Sequence, residues 1–213
     1  MYPAVRKDLK HYDSVALNLE NLQEKIDFTH LFGRSAPVHI EIGSGKGTFL
    51  VNQAAAQAQV DFLGIEWASK YYRCAVDRIG RRGLTNVRIL RADAPVFLRD
   101  FVPDESVDCL HIYFPDPWPK KRHHKRRLLQ ASNLEILLRC LKPGGQIRIA
   151  TDHEEYFQQI RDVTQAYSAL LEEIEFERPA GALDGERTGT NYERKYVKES
   201  RTIRTAAFRK RTA

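Results

Sequence analysis

The chain has 213 residues, of which 42% are apolar, and 34 Lys+Arg against 28 Asp+Glu give a formal net charge of +6. That apolar content suffices for a sizeable core in one large domain and excludes disorder as the main state. No apolar run approaches the roughly 18 to 20 residues that cross a bilayer, and residues 1–8 lack the apolar stretch of a signal peptide, so the sequence predicts a cytoplasmic protein with no membrane partner.

Residues 1–35 are weakly patterned, with partial helical character around 15–25, and read as an extension to a domain over 36–213. From there strand-length apolar runs alternate with amphipathic stretches. Strands are predicted at 38–42, 61–66, 87–90, 107–114 and 146–151, and helices at 48–59, 69–82, 94–100 and 128–141. Alternation of this kind predicts an α/β fold with a parallel sheet covered by helices on both faces. The pattern then changes. A long helix at 154–171 is followed by strands at 173–177 and 202–209 with no clean helix between them, which predicts an antiparallel closing pair and a long functional loop over 178–198. Cys74, Cys109 and Cys140 are widely spaced, with no CxxC or His pairing that suggests a metal site, so they are expected reduced, in or near the core.

The first strand runs into Glu41-Ile42-Gly43-Ser44-Gly45-Lys46-Gly47 and a helix from Thr48. Glycines allow a tight turn there and let the backbone approach a ligand. A nucleotide-triphosphate loop would need a glycine where the chain has Ile40 and a hydroxyl residue where it has Gly47. A dinucleotide turn would need glycine where it has Thr48. Four acids, Glu41, Glu66, Asp93 and Asp116, fall at or just beyond the carboxyl ends of four successive strands, the edge where open α/β sheets bind ligands. Glu66 is placed for ribose hydroxyls, Trp67 for an adenine face and Asp93 for an adenine amine. Glu41 and Asp116 would repel a pyrophosphate but suit a ligand with an ammonium and a sulfonium, as in S-adenosylmethionine.

After the fourth strand comes Phe114-Pro115-Asp116-Pro117-Trp118-Pro119, stiffened by its prolines. It leads directly into Lys120-Lys121-Arg122-His123-His124-Lys125-Arg126-Arg127, which holds six cations and no acid and leaves 28 charges of each sign elsewhere. A basic block beside a candidate pocket predicts salt-sensitive binding to nucleic-acid phosphates.

These residues resemble those of the bacterial tRNA (guanine-N7-)-methyltransferases, from about Val38 to Phe208. The most specific segments are Glu41 to Gly47, Phe114 to His123 and Thr190-Asn191-Tyr192-Glu193. The resemblance implies a class I, Rossmann-like methyltransferase fold: a three-layer sandwich around a mostly parallel seven-stranded sheet with an antiparallel C-terminal strand. It also implies S-adenosylmethionine as donor and the variable-loop guanine at tRNA position 46 as target. On it, Glu41, Gly43, Glu66, Asp93 and Asp116 match cofactor positions, and Asp116 is also the candidate catalytic residue. Lys120, Asp152, Thr190, Asn191, Tyr192 and Glu193 match substrate positions. Arg122, His123, His124, Lys125, Arg126 and Arg127 match the RNA-contacting run.

Guanine N7 is a bare lone pair, so no general base is needed, and alignment with charge stabilisation should carry the reaction. Asp152 and Glu193 are expected to accept from the guanine N1–H and amine, with Lys120 and Thr190 fixing orientation and Trp118 packing near the base. An exocyclic-amine methyltransferase and a non-enzymatic RNA-binding protein are the alternative readings. A monomer or homodimer with tRNA as partner and no metal is expected.

Overall fold

The computed structural model describes residues 8–212. Its strands are β1 (Ala16–Leu17), β2 (Val38–Ile42), β3 (Asp61–Glu66), β4 (Val87–Arg91), β5 (Val107–Tyr113), β6 (Leu141–Thr151), β7 (Leu171–Ile174) and β8 (Arg204–Lys210). Its helices are α1 (Phe28–Phe32), α2 (Thr48–Ala56), α3 (Ser69–Arg81), α4 (Ala94–Phe101), α5 (Ala131–Cys140), α6 (Glu154–Gln165) and α7 (Asn191–Lys198). The strands form one sheet in the order β1-β4-β3-β2-β5-β6-β8-β7. Every pairing from β1 to β6 is parallel, and β8 runs antiparallel to both β6 and β7.

The alternating runs become a layered fold because each strand must cover two faces. All six residues of β3 are buried, as expected of a central parallel strand with helices on both sides. One face packs Leu50, Val51 and Ala54 of α2 with Ala75, Val76 and Ile79 of α3. The other packs Phe97 and Leu98 of α4, Leu134, Leu137 and Leu138 of α5, and Tyr156 and Ile160 of α6. The Asp93 carboxylate accepts from Val96 N–H at 3.2 Å and starts α4, with a proline in the first turn. No helix of the described residues is long and apolar enough to cross a membrane.

Besides β6, which starts at Leu141 rather than at 146, four details differ from the sequence expectation. The sheet has eight strands rather than seven, because Ala16 and Leu17 pair with Ile89 and Leu90 of β4. The partial helical character expected around 15–25 is confined to one 3-10 helix at Leu19–Asn21, which follows this short strand. Its neighbours Val15 and Ile26 are buried, Val15 in the cluster with α2 and α3 and Ile26 in the cluster with α4, α5 and α6. Helix α6 stops at Gln165, after which 3-10-type bonds such as Leu170 N–H to Tyr167 O turn the chain, so that Leu171 enters the core and begins β7 earlier than predicted. Finally, the segment read as a long loop contains α7.

That segment folds back over α2. A Cβ on Gly181 would lie 2.4 Å from the Asn52 carbonyl carbon and 2.8 Å from Gln53 N. Backbone cannot yield as a flexible side chain can, so Gly181→Ala is expected to destabilise by about 1–3 kcal/mol. Urea unfolding measures this, and an unchanged midpoint would show that the segment does not depend on α2.

Candidate active site

From β2 the chain moves to β3 and β4 on one side, then crosses to β5 on the other. A crevice opens at the carboxyl ends of strands where such a reversal occurs. Two cavities lie there. One, of about 220 Å³, is lined by Glu41, the glycine turn, Phe49, Tyr113 and the start of α7. The other, of about 380 Å³, is lined by Glu66, Trp67, Asp93, Asp116, Trp118 and Arg126. Gly43, Gly45, Tyr71, Tyr113 and Tyr192 line both, so they are two arms of one groove. All four acids named from the sequence therefore meet at this groove.

Backbone conformation explains the glycine spacing. Gly43, Gly45 and Gly47 have φ of 79°, 54° and 68°, a region that side chains disfavour. The turn directs its N–H groups inward. Gly43 and Ser44 donate to Ile65 O at 2.8 and 3.1 Å, Gly45 donates to Glu66 Oε2 at 2.7 Å, and Gly47 donates to Ser44 O at 2.9 Å. None of these donors remains to cradle a phosphate, which distinguishes the turn from a nucleotide-phosphate loop.

The acids occupy different environments. Glu41 is 4% exposed, and its buried Oε2 has no hydrogen-bond partner. Burial, opposed in part by Ser44 and reinforced by the charge of Glu66, pushes its carboxyl up to about 8. Glu66 is also raised by burial, although N–H groups of Ala68 and Gly45, each 2.7 Å from an oxygen, hold it down. Each of its oxygens keeps a further lone pair for a ligand. Trp67 leaves 66% of its surface exposed and carries the Arg91 guanidinium 5.8 Å from its ring centroid. Asp93 and Asp116 are exposed at the groove mouth.

Around Asp116 the backbone is strained. Phe114 and Trp118 have φ of 54° and 41°, values uncommon for any residue but glycine, asparagine or aspartate. Phe114 packs against Tyr192 and Tyr196 of α7, with centroids 6.3 and 5.4 Å away. Helix α7 is docked from its other side by Asn191, which donates to Thr48 Oγ1 at 2.6 Å at the start of α2. Thr190 Oγ1 caps α7 by accepting from Glu193 N–H at 3.1 Å. A Thr-x-x-Glu spacing is a capping-box signal and was the sequence evidence available for this helix.

The expected substrate residues do not all face the groove. Thr190, Asn191 and Tyr192 line it. Glu193 is 2% exposed and turns away to the preceding loop. Its Oε2 accepts from Thr188 N, Thr188 Oγ1 and Gly189 N at 2.8, 2.9 and 2.8 Å, and its Oε1 from Arg187 N at 2.5 Å. The carboxylate is thus committed to holding residues 187–189, and in this conformation it is not presented to a guanine. Asp152 Oδ2 accepts from Arg201 at 2.7 Å, and neither it nor exposed Lys120 lines either arm.

The basic run forms a 3-10 helix, Lys121–Arg126. Lys120, Lys121, Arg122, Lys125 and Arg126 are exposed, and His123 and His124 are half-buried. Arg126 lies 5.0 Å over the Trp118 ring, and His123 meets that ring edge-on at 5.8 Å. Arg127 does not share this surface: its side chain is 1% exposed, so it is not available to a phosphate, contrary to the sequence expectation.

All three cysteines are buried. Among the described residues, Cys109 lies with His39 and His111, their donor atoms within 4.8 Å of one another, a grouping the sequence spacing did not suggest. His39 and His111 face each other at 3.2 Å, and burial pushes both imidazoles down and the Cys109 thiol up to about 12.

Comparison with known proteins gives this geometry a family. Residues 35–206 match the model of a family described as "Putative methyltransferase". A tRNA (guanine-N(7)-)-methyltransferase of Nitrosomonas eutropha is 41% identical over 188 residues, covering 88% of this chain and 83% of that protein. The enzyme of the same name from Nitrosomonas europaea is 38% identical, covering 87% and 82%. Among solved structures, a SAM dependent methyltransferase from Aquifex aeolicus aligns with a TM-score of 0.55 and 14% identity over 84% of this chain and 85% of that one, which bears on the fold alone. With the matched region spanning the whole groove, the chain belongs to the tRNA (guanine-N(7)-)-methyltransferase family.

Proposed function

We propose that this chain transfers a methyl group from S-adenosylmethionine to N7 of the variable-loop guanine, position 46, of tRNA. The observation that carries the reading is Glu41: a buried carboxylate oxygen without a partner, at the end of a groove whose other arm presents Glu66, Trp67 and Asp93. An ammonium would satisfy that oxygen, and the inward-turned glycine N–H groups fit a ligand without phosphates. Glu66 would hold ribose hydroxyls, Trp67 would cover adenine and Asp93 would meet its amine. When bound, the cofactor supplies a methyl group activated by a sulfonium.

The protein's own part is alignment and charge. With the cofactor held by Glu41, Glu66 and Asp93, the N7 lone pair would form the new N–C bond while sulfur kept the pair of the broken C–S bond, so the guanine ring would gain positive charge and no proton would move. Asp116, exposed at the groove mouth, would offset that charge. Thr190, Asn191 and Tyr192 would guide the base and Lys120 the backbone, while Glu193 acts through the loop it holds. Asp152 would contribute to guanine selection after exchanging its bond with Arg201. Lys121, Arg122, Lys125 and Arg126 form the exposed edge for tRNA phosphates, with His123 and His124 beside them.

Incubation with labelled donor and an unmodified tRNA transcript tests the reading. Label is expected at position 46 as 7-methylguanine, detected by chain scission, and absent from a transcript with adenine there. Label on an exocyclic amine, or none with folded protein, would overturn it.

A further inference from the structure

Arg127 ends the basic run, yet it is the largest fully buried side chain among the described residues. Its guanidinium is gripped on several sides. Nε donates to Pro117 O at 2.7 Å, one terminal nitrogen donates to Gln159 Oε1 at 2.5 Å, and the other to Glu155 Oε1 at 3.3 Å. The group also lies 4.9 Å over the ring of Tyr156. Glu155, Tyr156 and Gln159 all belong to α6. The same helix anchors the residues that follow, since Tyr156 Oη accepts from Leu129 N and Gln159 donates to Leu129 O. Arg127 therefore links the middle of the Pro-Asp-Pro loop to the helical layer.

The loop needs such a link. Pro115 and Pro117 have no N–H, so the backbone around Asp116 has few donors with which to fix itself. The residues bracketing this stretch, Phe114 and Trp118, hold left-handed φ values, which persist only where surrounding contacts over-determine them. The carbonyl of Pro117 is the handle, and a planar fork is required to hold it and two acceptors on α6 at once.

We propose that Arg127 is a positioning residue, which fixes the Pro115–Trp118 segment, and with it Asp116, against α6 rather than contacting RNA. The catalytic part of this inference rests on the reading of Asp116 above. The charge of Arg127 is enclosed, so it adds little to the attraction felt by a polyanion.

The test is Arg127→Lys, which keeps the charge and loses the fork. In a Trp67→Phe background, where Trp118 is the one tryptophan left, acrylamide quenching of Trp118 is expected to rise about twofold as the loop loosens. With Trp67 intact, kcat for methyl transfer should fall about tenfold or more, while KM for tRNA and its salt dependence change less than about twofold. Lys125→Ala should do the reverse, raising KM for tRNA and leaving Trp118 quenching unchanged. The pair Glu155→Ala with Gln159→Ala removes the α6 acceptors while keeping Arg127, and should shift quenching and kcat in the same direction if Arg127→Lys does not fold. Wild-type quenching and kcat in the folded variants would overturn the proposal, as would a weakened tRNA salt slope with an unchanged Trp118 signal. Increased quenching in a protein whose wild type methylates no tRNA would support the link and remove the tRNA reading instead.

Discussion

Asp116→Asn is expected to lower the rate of methyl transfer by about 10²-fold with tRNA still bound, the magnitude typical of removing one electrostatic contact to a transition state. Asparagine keeps the shape and a carbonyl acceptor but removes the charge. The comparison therefore isolates the field that Asp116 places at the groove mouth from its capacity to accept a hydrogen bond. Asp116→Ala, which removes both, should be slower still, by about another fivefold to tenfold. The charge of Asp116 already reaches Glu66, where it is one of the influences raising that carboxyl. Cofactor affinity should accordingly change, but by less than the rate. Single-turnover kinetics on the preformed ternary complex separate these quantities. A near-normal rate for Asp116→Asn with both ligands bound would remove charge stabilisation from the mechanism.

What could be read from the sequence and what could not divide along a physical line. Strands β2 to β6 and their helices were legible because burial imposes a period on residue type, and the four acids were legible because strand ends mark one edge of a parallel sheet. Properties set by register and facing were not. His39 and His111 lie on adjacent strands, with His39 paired to Cys109 and Glu41 to His111, so their meeting required the alignment of β2 on β5. Helix α7 reads as loop in the sequence because Asn-Tyr-Glu-Arg-Lys-Tyr-Val-Lys has little apolar content, and only the Thr190 to Glu193 spacing marks its start. Arg127 is the sharpest case. Composition places it with five other cations, but which member of a basic run turns inward depends on whether acceptors stand behind it, and here they are Pro117 in the preceding loop and Glu155 and Gln159 on α6. The same distinction separates the acids: sequence treats Glu41 and Asp116 alike, whereas one is buried in β2 against the groove and the other stands in solvent.

Glu41→Gln is expected to produce two opposite effects that together identify the role of this buried acid. The first is a loss of about 10- to 100-fold in affinity for S-adenosylhomocysteine, whose ammonium would lose a charge-assisted partner worth about 1.5–3 kcal/mol. The second is greater stability of the unliganded protein at pH 8. The sign follows from the carboxyl, which burial pushes from its ordinary 4.5 to about 8 in the folded chain. Below 4.5 both folded and unfolded forms are protonated, and Glu41 carries no pH-dependent penalty. Between 4.5 and about 8 the folded form holds the proton that the unfolded form has released, so each rise of one pH unit lowers stability by up to about 1.4 kcal/mol. Glutamine removes that decline. An ammonium ligand needs the ionised form, so wild-type affinity should rise with pH between 6 and 8 by up to about tenfold per unit, with release of a proton on binding. Calorimetry in buffers of different ionisation enthalpy reads that proton directly, and it should vanish in Glu41→Gln. Binding without proton release at pH 7 would mean that Glu41 is already ionised and partnered, and would transfer ammonium recognition to another residue. Both expected effects originate in one unsatisfied oxygen: on the proposed reading, an acid that destabilises the unliganded core is retained as the partner of a cation.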